Sequence, residues 1–214
     1  MANELSSFFS SILPELVPDN VRSFGPGGQV YNAEIFGGFN VSASQENPLF
    51  TFRENESSSS VANAKFLTNL HEAGKIGSTM EFLCTHVGVR VVKFDATAAL
   101  TAQEVQAMKT LLASARIELG LGSDSTKIGE FTGMHFQSPV DAETSDVSTV
   151  TAVSSVGGAC ANGFIRLRMP IPMQRNVELR GTVKFAQAPD SVLTTTANSF
   201  GFVVILYGMK VVST

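Results

Sequence analysis

The sequence predicts an all-β fold, an antiparallel sandwich or barrel of roughly eight to ten strands carrying one or two helices. Three observations carry that reading. The run Phe200-Gly-Phe-Val-Val-Ile-Leu-Tyr-Gly-Met-Lys-Val-Val212 is the most apolar stretch of the chain. Its β-branched and aromatic residues mark a strand buried on both faces, not an edge. It is too short, and its glycines are badly placed, for a membrane-spanning helix. Residues 164–169 alternate, with Ile165, Leu167 and Met169 on one side and Arg166 and Arg168 on the other, the period of a half-buried strand. Gly, Pro and Asn punctuate the chain at irregular intervals, while a single internal segment carries strong helix-start chemistry.

The elements follow in order. Leu5, Phe8, Phe9, Ile12, Leu13, Leu16 and Val17 fall at helical spacing and form one apolar stripe. Pro14 bends or shortens that helix, and Pro18 ends it. Its other face is serine-rich with only Glu4 and Glu15, so it lacks the basic face of a membrane-surface helix. The expected role is docking on its own domain or on a neighbouring copy. Short strands are expected at residues 29–36 and 39–43 with a turn at Gly37-Gly38, followed by alternation over residues 49–54 and a bend at residues 57–60. Residues 64–70 and 81–94 read as strands, the second long and bent near Gly88. Thr101-Ala-Gln-Glu104 is a capping box flanked by a Leu100–Val105 hydrophobic staple. Val105, Met108, Leu111, Leu112 and Ala115 supply the buried stripe of that helix. Strands are then expected at 116–121 and 128–136. A low-charge passage over 138–162 forms a loop with at most one weak edge strand near 147–153. Pro170-Ile-Pro172 is expected to stop the 164–169 strand, and residues 177–185 alternate again.

Composition narrows function. Of the 214 residues, 43% are hydrophobic and only 16% charged, against the usual quarter. A low-charge, hydroxyl-rich chain of this kind favours self-assembly. The net charge is −4. Residues 1–64 hold seven acids and two bases, and residues 65–214 twelve acids and thirteen bases. An arm that neutralises a genome is basic; this one is acidic, so sequence-specific or charge-driven nucleic-acid binding is not expected. Two cysteines, Cys84 and Cys160, make no disulfide framework. No cationic n-region with a cleavage site is present, which predicts an intracellular product with reduced thiols.

Catalytic chemistry is thin. Cys84 and His86 stand two apart on an expected strand and would share a face, but zinc needs three or four such ligands. His71 and His135 read as singletons. There is no G-x-S-x-G elbow and no P-loop, and the glycine clusters at 25–28 and 120–122 lack the strand–helix context of phosphate binding. The expectation is no enzyme, no metal and no cofactor. Arg166, Arg168, Arg175 and Arg180 form the one concentration of positive charge, suited either to a solvated strand face or to an acidic partner such as the N-terminal segment of a neighbour.

A resemblance rests on the order of several passages. A Phe-x-Phe segment and a Ser-rich bend lead to Phe66-Leu-Thr-Asn-Leu70, Gly74-Lys-Ile76 and the long 82–92 strand. The capped helix follows, then Leu167-Arg-Met-Pro-Ile-Pro172, Asn176-Val-Glu-Leu179 and the closing Leu206-Tyr-Gly-Met-Lys-Val-Val212. Over residues 48–213 this resembles the jelly-roll major capsid proteins of small tailless icosahedral bacteriophages, some of them lipid-containing. The family includes double jelly rolls, but in 214 residues two eight-stranded rolls would have very short strands and loops, so the expectation is an N-terminal arm over residues 1–47 and one jelly-roll domain over 48–214. The resemblance implies a structural virion protein, a self-assembling coat subunit found in the virion and assembled in the host cytoplasm. Its partners would be copies of itself, other virion proteins and an internal lipid membrane. Inter-subunit contacts are expected at Phe8, Phe9, Ile12, Leu13 and the four arginines. The alternative is a receptor- or carbohydrate-binding β-sandwich, such as a spike or lectin-like module.

Overall fold

A computed structural model describes residues 29–54, 63–78, 80–94, 100–122, 126–136, 155–156 and 164–212. Among these residues nine strands make two antiparallel sheets: β1 (Gln29–Asn40), β2 (Glu46–Leu49), β3 (Met80–Lys93), β4 (Ala115–Leu121), β5 (Thr126–Thr132), β6 (Ser155–Val156), β7 (Phe164–Met173), β8 (Leu179–Phe185) and β9 (Phe200–Val212). One sheet runs β1-β9-β3, with β6 and β7 both along the far edge of β3; the other runs β2-β8-β4-β5. Consecutive strands thus alternate between sheets over most of the chain. That winding is the two-Greek-key order of a jelly roll, and the described strands make one roll.

The closing strand behaves as its composition dictates. β9 lies between β1 and β3, paired along its full length with both, and residues 200–206 are all buried. Its Gly208 is a close-packing point: a Cβ there would collide with the backbone carbonyl of Leu83. Between the sheets the buried side chains of the described residues pack in one cluster. Phe39 stacks on Phe202 at 5.5 Å, and Phe185 meets both edge-on.

The helix α2 (Ala102–Ser114) forms as the capping box requires, with both reciprocal hydrogen bonds of Thr101 and Glu104 in place. Val105, Met108, Leu111 and Leu112 are buried, and Leu100 sits in the same core. With the short α3 (Ser191–Thr194) and a 3-10 turn at Gly133–Phe136, it closes one end of the sandwich by burying Leu193 and Phe136.

Several expectations are corrected. β1 is one strand through Gly37 and Gly38, not two with a turn between them. Those glycines admit close neighbours: the Phe50 ring at Gly37 and the Phe202 carbonyl at Gly38. β1 and β2 belong to the sandwich, and Ile35, Phe39 and Val41 lie in its core. The described roll therefore starts at Gln29, and residues 29–47 are not an arm. The alternation over 49–54 is no strand: β2 stops at Leu49, and Phe50 turns with φ 60 to bury its ring.

Residues 64–70 hold a short helix, α1 (Ala64–Leu67), which buries Ala64 and Leu67 against the sheet. Tertiary burial there overrides local strand propensity. The bend of β3 sits at Thr85, where the register slips between Cys84 and His86, not at Gly88. The strand expected over 128–136 ends at Thr132. β7 continues past Pro170 and Pro172 to Met173. An edge strand tolerates proline because no further strand needs its missing N–H. The expected weak strand at 147–153 and the N-terminal stripe, including Phe8, Phe9, Ile12 and Leu13, lie outside the described residues.

Candidate assembly surfaces

The surfaces that the described residues offer a partner are the outer faces and edges of the two sheets. The outer face of the β2-β8-β4-β5 sheet is an exposed ladder of ion pairs. Arg116 reaches Glu130 at 2.6 Å and Glu118 at 3.7 Å, and Lys184 reaches Glu118 at 3.6 Å and Glu46 at 3.7 Å. Glu118 and Glu130 stand directly opposite each other on β4 and β5. Like charges in that position repel, and Arg116 between them removes the repulsion.

The outer face of the other sheet is different. The bulge at Thr85 reverses the parity of β3. Cys84 points inward and is fully buried, whereas His86 lies opposite the half-buried Tyr207 on the outer face. The expectation that Cys84 and His86 share a face is therefore wrong. Burial pushes the Cys84 thiol up to about 12, and its Sγ donates to the His86 carbonyl at 3.5 Å. Among the described residues no cluster of His, Cys, Asp and Glu is arranged to hold a metal.

Register then lines up one cross-strand row. Glu34 on β1 is opposite Tyr207 on β9, Tyr207 is opposite His86 on β3, and His86 is opposite Arg166 on β7. The row is acidic at one end and basic at the other. Thr85 Oγ1 lies 2.9 Å from His86 Nδ1, and an Arg90 guanidinium nitrogen donates to the Tyr207 hydroxyl at 3.4 Å. Burial pushes the Tyr207 phenol up; the Arg90 charge opposes this and the Glu34 carboxylate adds to it, so the phenol stays neutral at physiological pH. The next row is apolar: Phe36, Ile205, Gly88 and Phe164, with Phe164 edge-on to Tyr207 at 4.5 Å. α1 covers part of this face, since Leu67 packs on Val203 and Ile205 with Phe52 and Phe94 around them. Phe66, on the same helix, is left 53% exposed.

The two edges of this sheet differ. On β1, Asn69 accepts from the Phe36 amide at 2.9 Å and donates to the Glu34 carbonyl at 2.8 Å, so one side chain pairs two groups of the edge backbone. A cleft beside it is lined by Glu34, His71, Lys75 and Lys210. On β7 the ladder with β3 breaks between Arg166 and Ile171, and the arch carries Met169, 61% exposed.

The four arginines do not form one patch. Arg166 and Arg168 are exposed on β7 and pair with no acid among the described residues. Arg175 follows β7 and pairs with Glu81 at 3.3 Å, and Arg180 lies on β8 of the other sheet, paired with Glu178 at 2.8 Å. Glu34 and Tyr207 escaped the sequence reading, and His86 was weighed only beside Cys84, because up to 173 positions separate row neighbours and no local pattern encodes a register.

The fold and its surfaces define an antiparallel jelly-roll sandwich with one ion-laddered face and one partly apolar face. No protein-family model matches the chain, and no curated protein matches it. Among solved structures it is similar to a chain of Cocksfoot mottle virus at 13% identity and a TM-score of 0.30, covering 86% of this chain and 95% of that one. A superposition that loose carries no argument of its own.

Proposed function

We propose that this chain is a structural virion protein, a coat subunit that assembles with copies of itself into an icosahedral bacteriophage shell. The observation that carries the reading is the strand order, two sheets wound as a jelly roll around a solid core. Fold alone hosts several functions. Phe39, Phe185 and Phe202 pack on one another between the sheets, which supports the reading as a rigid building block. The resemblance in strand punctuation and the low charge content support the same reading. The chain acts by repeated protein–protein contact and performs no catalysis. The N-terminal stripe with Phe8, Phe9, Ile12 and Leu13 reaches a neighbour, and the mature location is the virion.

Electron microscopy and mass determination of the purified full-length protein test this. Large closed particles are expected, and a protein that stays monomeric under all assembly conditions overturns the reading. Deleting residues 2–18 is expected to impair particles and spare the folded roll; normal particles from the deletion variant would remove the N-terminal stripe from the mechanism.

A further inference from the structure

We propose that the outer face of the β1-β9-β3-β7 sheet is a two-fold contact with the same face of a second copy. The contact rests on the reading of the chain as a self-associating subunit, yet it can fail while that reading stands. The argument is charge order. In the row Glu34–Tyr207–His86–Arg166 the acid and the base sit at opposite ends. Both are exposed, and neither is paired among the described residues. A two-fold axis lying between two stacked sheets and parallel to the strands sets Glu34 of each copy over Arg166 of the other. An axis parallel to the row would set Glu34 on Glu34 and Arg166 on Arg166, which repel. The sequence of charges therefore selects one orientation of a self-complementary contact.

Shape agrees with charge. α1 rises over the β1–β9 half of the face, through Leu67 on Val203 and Ile205. In the selected orientation that ridge meets the β3–β7 half of the partner, so the two ridges lie side by side. Phe66 becomes the apolar tip of each ridge, and its 53% exposure then has a use. Four strands about 4.8 Å apart and some ten residues long, at about 3.3 Å each, present on the order of 600 Å² per copy. Two such faces bury on the order of 1,200 Å², the lower end of specific interfaces. The ion ladder of the other sheet offers no equivalent, since its charges are already neutralised within one copy.

The test uses the full-length chain with Glu34→Arg, with Arg166→Glu and with both. Each single reversal is expected to weaken association by about tenfold in sedimentation, and the double reversal to restore it to within about threefold, because the row is then reversed end for end. Both residues are exposed, and an unchanged thermal melt confirms folding. A second variant carries Glu34→Cys and Arg166→Cys together on a Cys160→Ser background. Within one copy these positions are three strand spacings apart, about 14 Å, too far for a disulfide. Stacked sheets lie about 10 Å apart, so the thiols of two copies face each other within reach of a short bifunctional thiol reagent that cannot span about 14 Å. A covalent dimer on a non-reducing gel after that reagent is expected only from the stacked pair. Single reversals that associate like the parent, or a cysteine pair that stays monomeric, overturn the contact; the face is then covered by the chain's own N-terminal residues or by another virion protein. Closed particles without the covalent dimer sink this inference alone. A covalent dimer without particles sinks the shell reading alone.

Discussion

The outer faces of the two sheets solve the same problem in opposite ways. On the β2-β8-β4-β5 face, four strands carry an ion ladder from Glu46 through Lys184, Glu118 and Arg116 to Glu130. It needs nothing but water. On the β1-β9-β3-β7 face, large apolar side chains project outward: Phe36, Val203, Ile205 and Phe164. The chain bends a connection back over them to bury Leu67 completely. One face is finished when the sheet forms; the other needs cover. A sandwich of this kind has a direction, and contacts between copies follow it.

The largest way to break the contrast is to remove the cover. Leu67→Ala takes a fully buried side chain off Val203 and Ile205 and is expected to destabilise by about 2–5 kcal/mol in denaturant unfolding. A loss below about 0.5 kcal/mol would mean that the face tolerates water, and the contrast would collapse.

Next comes the joint between this sheet and α2. Glu104 caps the helix and meets Lys93, the last residue of β3, at 2.9 Å with both side chains largely buried. Burial opposes ionisation of Glu104, but the hydrogen bonds from Thr101 and Lys93 prevail and lower its pKa from 4.5. A carboxylate lowered in the folded state adds stability above its unfolded pKa and loses it as the pH falls through the folded value. Glu104→Ala is expected to cost about 2–4 kcal/mol at neutral pH. The gap between parent and variant should narrow as the pH drops below 4.5. A gap that stays constant down to acid unfolding would remove the ion pair from the account.

The smallest effect belongs to the other face. Glu130→Gln takes one rung from an exposed ladder and is expected to change stability by less than about 1 kcal/mol, and by less still at high salt. A loss as large as that of Leu67→Ala would show that the ladder is no mere solvated surface.

Some elements of this molecule are legible in the order of its residues. The closing strand is, because thirteen residues of near-continuous apolar character have few places to go except the middle of a sheet. So is α2, because cap, staple and stripe all lie within sixteen positions, from Leu100 to Ala115. The candidate surfaces are mostly illegible. Arg166 and Arg168 stand out as an exposed pair, but their grouping with Arg175 and Arg180 reflects nearness in sequence, and the fold sends Arg180 to the other sheet.

By itself the sequence determined the all-β class, the inserted helix, the central closing strand and the outward arginines of β7. Each depends on interactions among near neighbours: alternation, capping and hydrophobic run length. Only the tertiary structure decided that Gly37 and Gly38 lie within a strand, that residues 64–67 coil into a helix, and that one extra residue at Thr85 turns His86 outward and Cys84 inward. Only it placed Glu34, Tyr207, His86 and Arg166 in one line. The reason is physical. Register follows from how side chains far apart in the chain fill a shared core, and a shift of one residue moves every side chain to the opposite face. The closing run was readable as a strand, but which residues stand beside it was settled only when β1 and β3 packed along its two sides.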